Sequence, residues 1–286
     1  MVANLDKLIR NTEEKWLKRL FEACNSQFVE VHLPSHDAWH HRRVWEYAKT
    51  LLRHASVKGT VISETDIERL IIAVFFHDQG MGKTLSKEHG KISRQVCKAY
   101  FAAYPDEPVS GFDKVLQAVE NHDKKEYSQG ASSSLRKNEF DLQKYLNLAD
   151  DLDALGKAGA YRYSEIYLLR HVSIDELPEK VLPNLYSRFQ YFKEVFQEDP
   201  SLVKAQNQRY MAARNFFKDL NMQVKMIGYS DRCNVGPIGV VNYIKKEIID
   251  GKRPLNEACR EVLSTSEDFY SRHFFERMLK EMTVKF

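Results

Sequence analysis

The 286-residue chain has ten histidines, eight of them before residue 123, and three of these eight begin a His-Asp dipeptide. The dipeptides lie at positions 36–37, 77–78 and 122–123. Imidazole and carboxylate side chains bind divalent metal ions, and they transfer protons near neutral pH. The sequence therefore suggests a metal centre or an acid-base site, and the surroundings of each dipeptide must decide between them.

The dipeptide His77-Asp78 directly follows the apolar run 70–76, which reads LIIAVFF. His77 continues the buried stripe of that predicted helix, and a buried imidazole or carboxylate is costly unless it is paired or ligated. Gly80 and Gly82 then interrupt the helix, so the two polar side chains can turn towards one point. The alternative is a helix that ends with a histidine near its carboxyl terminus and an aspartate in the following turn.

His40 also occupies an inward position on a predicted helix. It is followed by Val44, Tyr47 and Leu51 at helical spacing, which places His40 on the buried face near the start of the helix. A core histidine with ordinary hydrogen bonds has the same pattern. His41 is expected on the opposite face, at the surface.

Asp150 takes a position that helical periodicity would give to an apolar residue, since it shares a face with Leu142 and Leu146. Aspartates also stand at positions 151 and 153, and like charges this close on a helix repel each other. A cation would relieve the repulsion. The alternative is that Asp151 and Asp153 simply face water, and we expect this of Asp151.

Together these stretches resemble the HD-domain superfamily of metal-dependent phosphohydrolases, whose H…HD…D signature lies on separate helices of an all-α core. The matching segments read SHDAWHHRRVWEYA, FFHDQGMGK and LADDLDALG. Their order and intervals match the superfamily over residues 30–165, about half of the chain. The resemblance implies four metal ligands: His40, His77, Asp78 and Asp150. It also implies hydrolysis of a nucleotide or another small phosphorylated metabolite, with a metal-bound water as the nucleophile.

Two imidazoles and two carboxylates suit one or two Mn, Fe, Co, Ni or Zn ions better than Mg. Asp78 is then both a ligand and a candidate to activate water. By resemblance, His89 and His122 bind a second ion, contact phosphate or act as an acid, and Lys83 follows closely enough to reach a phosphate. For all three, the alternative is an ordinary surface position. His36 is either a hydrogen-bond partner of the site or a turn residue.

The subtype stays open. In the alarmone hydrolases and deoxynucleoside 5′-monophosphatases of this superfamily an acidic residue follows the HD pair, whereas residues 79–83 here read QGMGK, and the GYP signature of the cyclic-dinucleotide phosphodiesterases is missing. Two other functions are therefore kept: a di-iron oxygenase of the HD type, and a non-catalytic helical module that a metal holds together.

Helical periodicity dominates the rest of the chain and predicts an all-α protein, with an HD-type core at residues 1–172 and a helical extension at 173–286 packed on it. The only segment with some strand character is 28–33, and the polar stretch 124–137 is predicted to be a surface loop. The capping pattern Thr65 to Glu68 predicts the start of the helix that ends at the HD dipeptide.

Composition excludes several classes of protein. The 43 basic and 40 acidic residues are spread along the chain, which is not the clustered charge of a nucleic-acid-binding protein. The longest apolar run is far shorter than a membrane span, and the charged amino terminus is unlike a secretory signal. The four cysteines form no disulfide pattern. We therefore expect a cytoplasmic enzyme that acts on a small phosphorylated substrate, without membrane or nucleic-acid partners, and that could form a homo-oligomer.

Overall fold

The computed structural model describes residues 2–124 and 139–283. It is 76% helical, and its described residues contain no strand, so the prediction of an all-α protein is confirmed. Residues 28–33 form a turn and an irregular segment. The described α-helices are α1 (Val2–Gln27), α2 (Ala38–Val57), α3 (Glu64–Phe76), α4 (His89–Ala102), α5 (Phe112–Asn121), α6 (Leu142–Asp153), α7 (Gly156–Leu169), α8 (Leu177–Val195), α9 (Pro200–Ile227), α10 (Gly236–Tyr243), α11 (Leu255–Thr265) and α12 (Phe269–Met282).

The chain divides into two compact units, Met1–Leu152 and Asp153–Phe286. The predicted boundary between residues 172 and 173, which separates an HD-type core from a helical extension packed on it, stays a prediction. Except for Lys124, the predicted loop at 124–137 lies outside the described residues. Among the helices of the described ranges, none is long and apolar enough to cross a lipid bilayer.

Helix α3 is the centre of the first unit, where it packs against α1, α2, α4 and α5. Every side chain of residues 70–76 is completely buried. A helical segment that is apolar on all sides, as residues 70–76 are, must be enclosed by other helices. The residues just beyond the carboxyl end of α3 therefore enter the interior of the unit. Truncating a buried phenylalanine such as Phe75 costs about 3–5 kcal/mol of folding free energy.

The two helices that lead into the predicted site begin with side-chain caps. Asp37 caps α2 by accepting hydrogen bonds from the backbone N–H groups of Trp39 and His40. Ser63 and Asp66 form a reciprocal capping box at the start of α3. The predicted cap at Thr65 is therefore wrong by two residues, because Thr65 already lies inside the helix.

In the second unit, α9 packs against α7, α8 and α10, while α12 packs against α7, α10 and α11. The sequence predicts a helix over 201–219, but α9 continues to Ile227 and ends at Gly228, whose φ is 73°. The added residues include no glycine or proline, so nothing stops the helix earlier. After α10 the chain continues as a π-helical segment, Ile244–Asp250.

Candidate metal centre

The four ligands implied by the resemblance come together in the first unit. His40 lies in the first turn of α2, His77 and Asp78 follow the last turn of α3, and Asp150 lies in α6. All four are buried, and one ligand atom from each lies within 4.8 Å of the others. Although these residues are far apart in sequence, the fold places them around one point.

The distances within this first group fit a bound cation. His40 Nε2 lies 3.3 Å from His77 Nε2 and 3.6 Å from Asp78 Oδ2. Asp150 Oδ1 lies 3.8 Å from each of the two imidazole nitrogens. Adjacent ligands of an octahedral ion with bonds of about 2.1 Å are separated by about 3 Å, so a small contraction would close the group around one ion.

A second group lies on the other side of Asp78. His89 is the first residue of α4 and His122 directly follows α5. The Nε2 atoms of these histidines are 3.1 Å apart, and they lie 3.3 and 2.9 Å, respectively, from Asp78 Oδ1. Asp78, His89 and His122 are all buried and could hold a second divalent ion.

Asp78 therefore faces both groups, with a different oxygen towards each. Its Oδ2 atom lies 3.3 Å from His77 Nε2, and its Oδ1 atom lies 2.9 Å from His122 Nε2. A carboxylate in this position can bridge two metal ions a few ångströms apart, as in two-metal hydrolytic sites.

Backbone carbonyls fix the orientation of three of the histidines. In His77 and His122, Nδ1 lies 2.7 Å from the carbonyl oxygen three residues earlier, and in His89 the same contact is 2.8 Å. A carbonyl only accepts, so each Nδ1 must donate, and the neutral ring then carries its lone pair on Nε2. This lone pair faces the group of ligands, as in histidines that bind metals.

In the metal-free site, neighbouring histidine and aspartate side chains shift each other's pKa values. Burial alone lowers the pKa of His77, but the nearby carboxylates of Asp78 and Asp150 raise it to about 10. For His89, burial again lowers the pKa, while Asp78 and Asp123 raise it to about 9. Burial raises the pKa of Asp78, but the histidines around it hold the value well below its usual range. Protons on the imidazoles thus occupy the site when no cation does.

The raised pKa values of His77 and His89 predict that metal affinity rises with pH. At pH 7 both His77 and His89 are protonated, because their pKa values are about 10 and 9. Each must lose its proton to bind an ion, so the affinity of each group should rise about tenfold per pH unit between pH 7 and 9. Calorimetric titration with Mn²⁺ in buffers of different ionisation enthalpy counts the released protons. An affinity that does not change over this range would contradict the prediction.

Two glycines allow the elements of the second group to approach closely. A Cβ atom on Gly80 would lie 2.1 Å from the carbonyl oxygen of His89, and one on Gly90 would lie 2.5 Å from the carbonyl oxygen of Glu120. Both distances are shorter than van der Waals contact. Since the obstructing atoms belong to the backbone, a larger residue would have to move α4.

We therefore expect the substitution Gly90→Ala to weaken the second group selectively. The added methyl group collides with the backbone of α5, so it moves His89 away from His122, while the first group does not involve α4. Metal analysis should find one ion per chain in the variant and two in the wild type. The exposed neighbour Lys91 provides the control, since Lys91→Ala should leave both ions in place.

The remaining predicted residues have mixed outcomes. His36 is buried with Nε2 3.9 Å from Asp78 Oδ2, which fits a partner of the site. Lys83 follows the 3-10 turn Gln79–Gly82 and is exposed, so its contact with a phosphate stays a prediction. The surface positions expected of His41 and Asp151 are wrong, because both side chains are buried.

His41 is buried because α2 is covered on more than one side. Its Nδ1 lies 3.0 Å from the carbonyl oxygen of Asp37 and 3.3 Å from the thiol of Cys24, which belongs to α1. Burial lowers the pKa of His41 well below its usual range, and the neighbouring rings of His77 and His40 lower it further. His41 is therefore a neutral core residue beside the site.

Comparison with known proteins agrees with this geometry. Residues 38–155 match the sequence profile of the HD domain. The chain contains an HD domain. No curated protein and no solved structure matches the chain significantly.

The matched segment contains all six side chains of the two groups. Members of the HD superfamily are mostly metal-dependent hydrolases, and the buried groups in this HD domain could bind divalent ions. The resemblance to the superfamily is thus confirmed.

The sequence pattern gave no role to Asp123, although it included the dipeptide His122-Asp123. Asp123 Oδ2 lies 3.1 Å from His89 Nε2.

Proposed function

We propose that the protein is a metal-dependent phosphohydrolase that acts on a nucleotide or another small phosphorylated metabolite. The observation that supports this proposal is the buried carboxylate of Asp78 between two pairs of histidines. One of its oxygens lies 3.3 and 3.6 Å from the Nε2 atoms of the first pair, and the other lies 2.9 and 3.3 Å from those of the second pair. Bridged two-ion sites are used in phosphatases and nucleases to bind the attacking and leaving oxygens of a phosphate ester.

The donors indicate which metals fit. Four imidazole nitrogens and the carboxylates of Asp78 and Asp150 favour Mn, Fe, Co, Ni or Zn, whereas Mg²⁺ prefers oxygen donors and keeps several waters. A bound ion of this kind supplies an acidified water as nucleophile and neutralises the charge of the phosphoryl group. His40, His77, Asp78 and Asp150 would hold the first ion, and Asp78, His89 and His122 would hold the second.

Other residues of the chain would bind and orient the substrate. Lys83 is exposed only five positions after Asp78 and can attract a phosphate as a point charge. When the second group holds no ion, His89 carries a proton on Nε2, 3.3 Å from Asp78 Oδ1. In that state His89 could donate a proton to the leaving oxygen, which is the acid role predicted for it.

The test combines elemental analysis with a substrate screen. The protein is purified without added metal, its ions are counted, and phosphate release is measured on nucleoside mono-, di- and triphosphates, sugar phosphates and an aryl phosphodiester. We expect stoichiometric transition metal, together with activity that chelation removes and Mn²⁺ restores. Protein that contains metal and unfolds on chelation, but hydrolyses none of these compounds, would instead indicate the non-catalytic module.

The second group of ligands also supports a di-iron oxygenase as a second candidate. The Nε2 atoms of His89 and His122 lie 3.1 Å apart, and the carboxylate of Asp78 faces both histidine pairs. Together they offer only nitrogen and oxygen donors, a set that iron accepts. Two irons per chain with mixed-valence electron paramagnetic resonance signals would favour this candidate. A single Mn or Ni ion would exclude it.

A further inference from the structure

Asp123 lies beside the second group of ligands without belonging to it in the assignment above. Its Oδ2 atom is 3.1 Å from His89 Nε2, and its Oδ1 atom is 3.7 Å from His122 Nε2. Each carboxylate oxygen thus approaches a different histidine of the pair.

The nitrogen that Asp123 approaches determines its role. A residue that only orients a metal-binding histidine accepts a hydrogen bond from the ring nitrogen that faces away from the ion. In His89 and His122 that nitrogen is Nδ1, and it is already bonded to the carbonyl oxygens of Ser86 and Val119. Asp123 approaches Nε2 instead, on the side where an ion would bind.

The local structure repeats that of the first group. His77-Asp78 follows α3 and His122-Asp123 follows α5, and in both dipeptides the histidine Nδ1 lies 2.7 Å from the carbonyl oxygen three residues earlier. In the first dipeptide the aspartate lies among the ligand atoms. The same arrangement at the end of α5 brings the carboxylate of Asp123 to the second pair of histidines.

Charge gives a further reason for a second carboxylate. In the two groups found among the described residues, the carboxylates are those of Asp78 and Asp150, so without Asp123 these two negative charges would face two divalent ions, with Asp78 common to both. A buried excess of positive charge is costly unless it is compensated. Asp123 would lower this excess at the second ion, where Asp78 is the one other carboxylate that the described residues supply.

We propose that Asp123 is a ligand of the second metal ion, which gives both ions the same donor set of two imidazoles and two carboxylates. This inference rests on the metal-binding part of the proposed function. The side chain of Asp123 is 45% exposed, against 2% for His89 and 7% for Asp78. Asp123 therefore marks the side of the second ion that faces solvent, and this ion should dissociate first on dialysis.

The test compares Asp123→Asn and Asp123→Ala with Asp113→Asn, which changes an exposed aspartate in the first turn of α5, the helix that precedes Asp123. Mn²⁺ is titrated into metal-free protein, and bound ions are counted by elemental analysis and by the electron paramagnetic resonance signal of coupled Mn²⁺ pairs. We expect two ions in the wild type and the control. Both Asp123 variants should keep the first ion and bind the second at least about tenfold more weakly, with loss of the pair signal.

The outcomes separate this inference from the proposed function. If the variants bind two ions with wild-type affinity, Asp123 is not a ligand, and the hydrolase proposal is unaffected. A wild type that binds a single ion at saturation, yet hydrolyses phosphate esters, would also overturn the inference alone. Loss of both ions in Asp123→Asn would contradict it as well, because the first group does not include Asp123. The thermal unfolding midpoint, measured in parallel, shows whether each variant is folded.

Discussion

Replacement of Asp78 by asparagine should remove both metal ions and abolish hydrolysis, the largest loss we expect from any single substitution. Asp78 contributes one oxygen to each group, 3.3 Å from His77 Nε2 and 2.9 Å from His122 Nε2. An amide keeps the size of the side chain but removes the negative charge, and its NH₂ group repels a cation. Activity should fall by at least about 10³-fold, since a bound ion supplies several kcal/mol of transition-state stabilisation.

A comparison with Asp150→Asn makes this prediction specific. Asp150 belongs to the first group alone, so its replacement should remove one ion and leave the second group able to bind Mn²⁺. Asp113→Asn should change neither metal content nor activity. Elemental analysis of the three variants, with circular dichroism to confirm folding, provides the measurement. An Asp78→Asn protein that retains two ions would show that Asp78 does not bridge them.

The sequence predicts the helices well because helical periodicity is a local property. The stripe on α2 placed His40 inward, and the apolar run of α3 indicated that His77 and Asp78 enter the interior. Asp150 shares a face with apolar residues of α6, so all four ligands implied by the resemblance also have a local signal in the pattern of buried positions. The error at Thr65 has a local cause too, because two four-residue capping patterns, Ser63 to Asp66 and Thr65 to Glu68, overlap in the sequence.

The second group could not be derived from periodicity. His122 continues the buried stripe of α5, and His89 is the first buried residue of α4. Such a stripe marks a residue as buried, but it does not show which residue of another helix lies beside it. Their approach depends on the backbone contacts at Gly80 and Gly90, which join segments distant in sequence. The burial of His41 has a similar origin, since α1 covers the face that the pattern of α2 alone would assign to solvent.

Helical periodicity gives no signal for Asp123, because a half-exposed aspartate after a helix has the pattern of an ordinary surface residue. A signal was available in the repeated His-Asp dipeptide, since two helices that end in the same way can present the same pair of side chains. Only the distances to His89 and His122 give that repetition a chemical meaning.

Removal of the metal should strongly destabilise the unit Met1–Leu152, in which all the ligands lie. A ligand present at about 1,000 times its dissociation constant stabilises the folded state by about 4 kcal/mol. For a unit of roughly 150 residues each kcal/mol corresponds to about 2–4 °C, so chelation should lower the unfolding midpoint of this unit by about 10 °C. Differential scanning calorimetry with and without EDTA measures the shift, and added Mn²⁺ should reverse it.

The destabilisation should also depend on pH, and its direction follows from the histidines. In metal-free protein the pKa of His77 is raised to about 10 and that of His89 to about 9, above the value of about 6.5 in the unfolded chain. A raised pKa stabilises the folded state fully below pH 6.5, and this contribution is lost as pH rises towards 10. Metal-free protein should therefore be less stable at pH 9 than at pH 7.

The same protons compete with the metal ions, so the shift caused by EDTA should be larger at pH 9 than at pH 7. At pH 7 protonated His77 and His89 partly replace the cations beside Asp78, whereas at pH 9 this compensation has weakened and the metal binds more tightly. The variant Asp78→Asn should show no response to EDTA at either pH, because it holds no ion to remove. An EDTA shift in the wild type that is the same at both pH values would mean that protons and metal ions do not share the site.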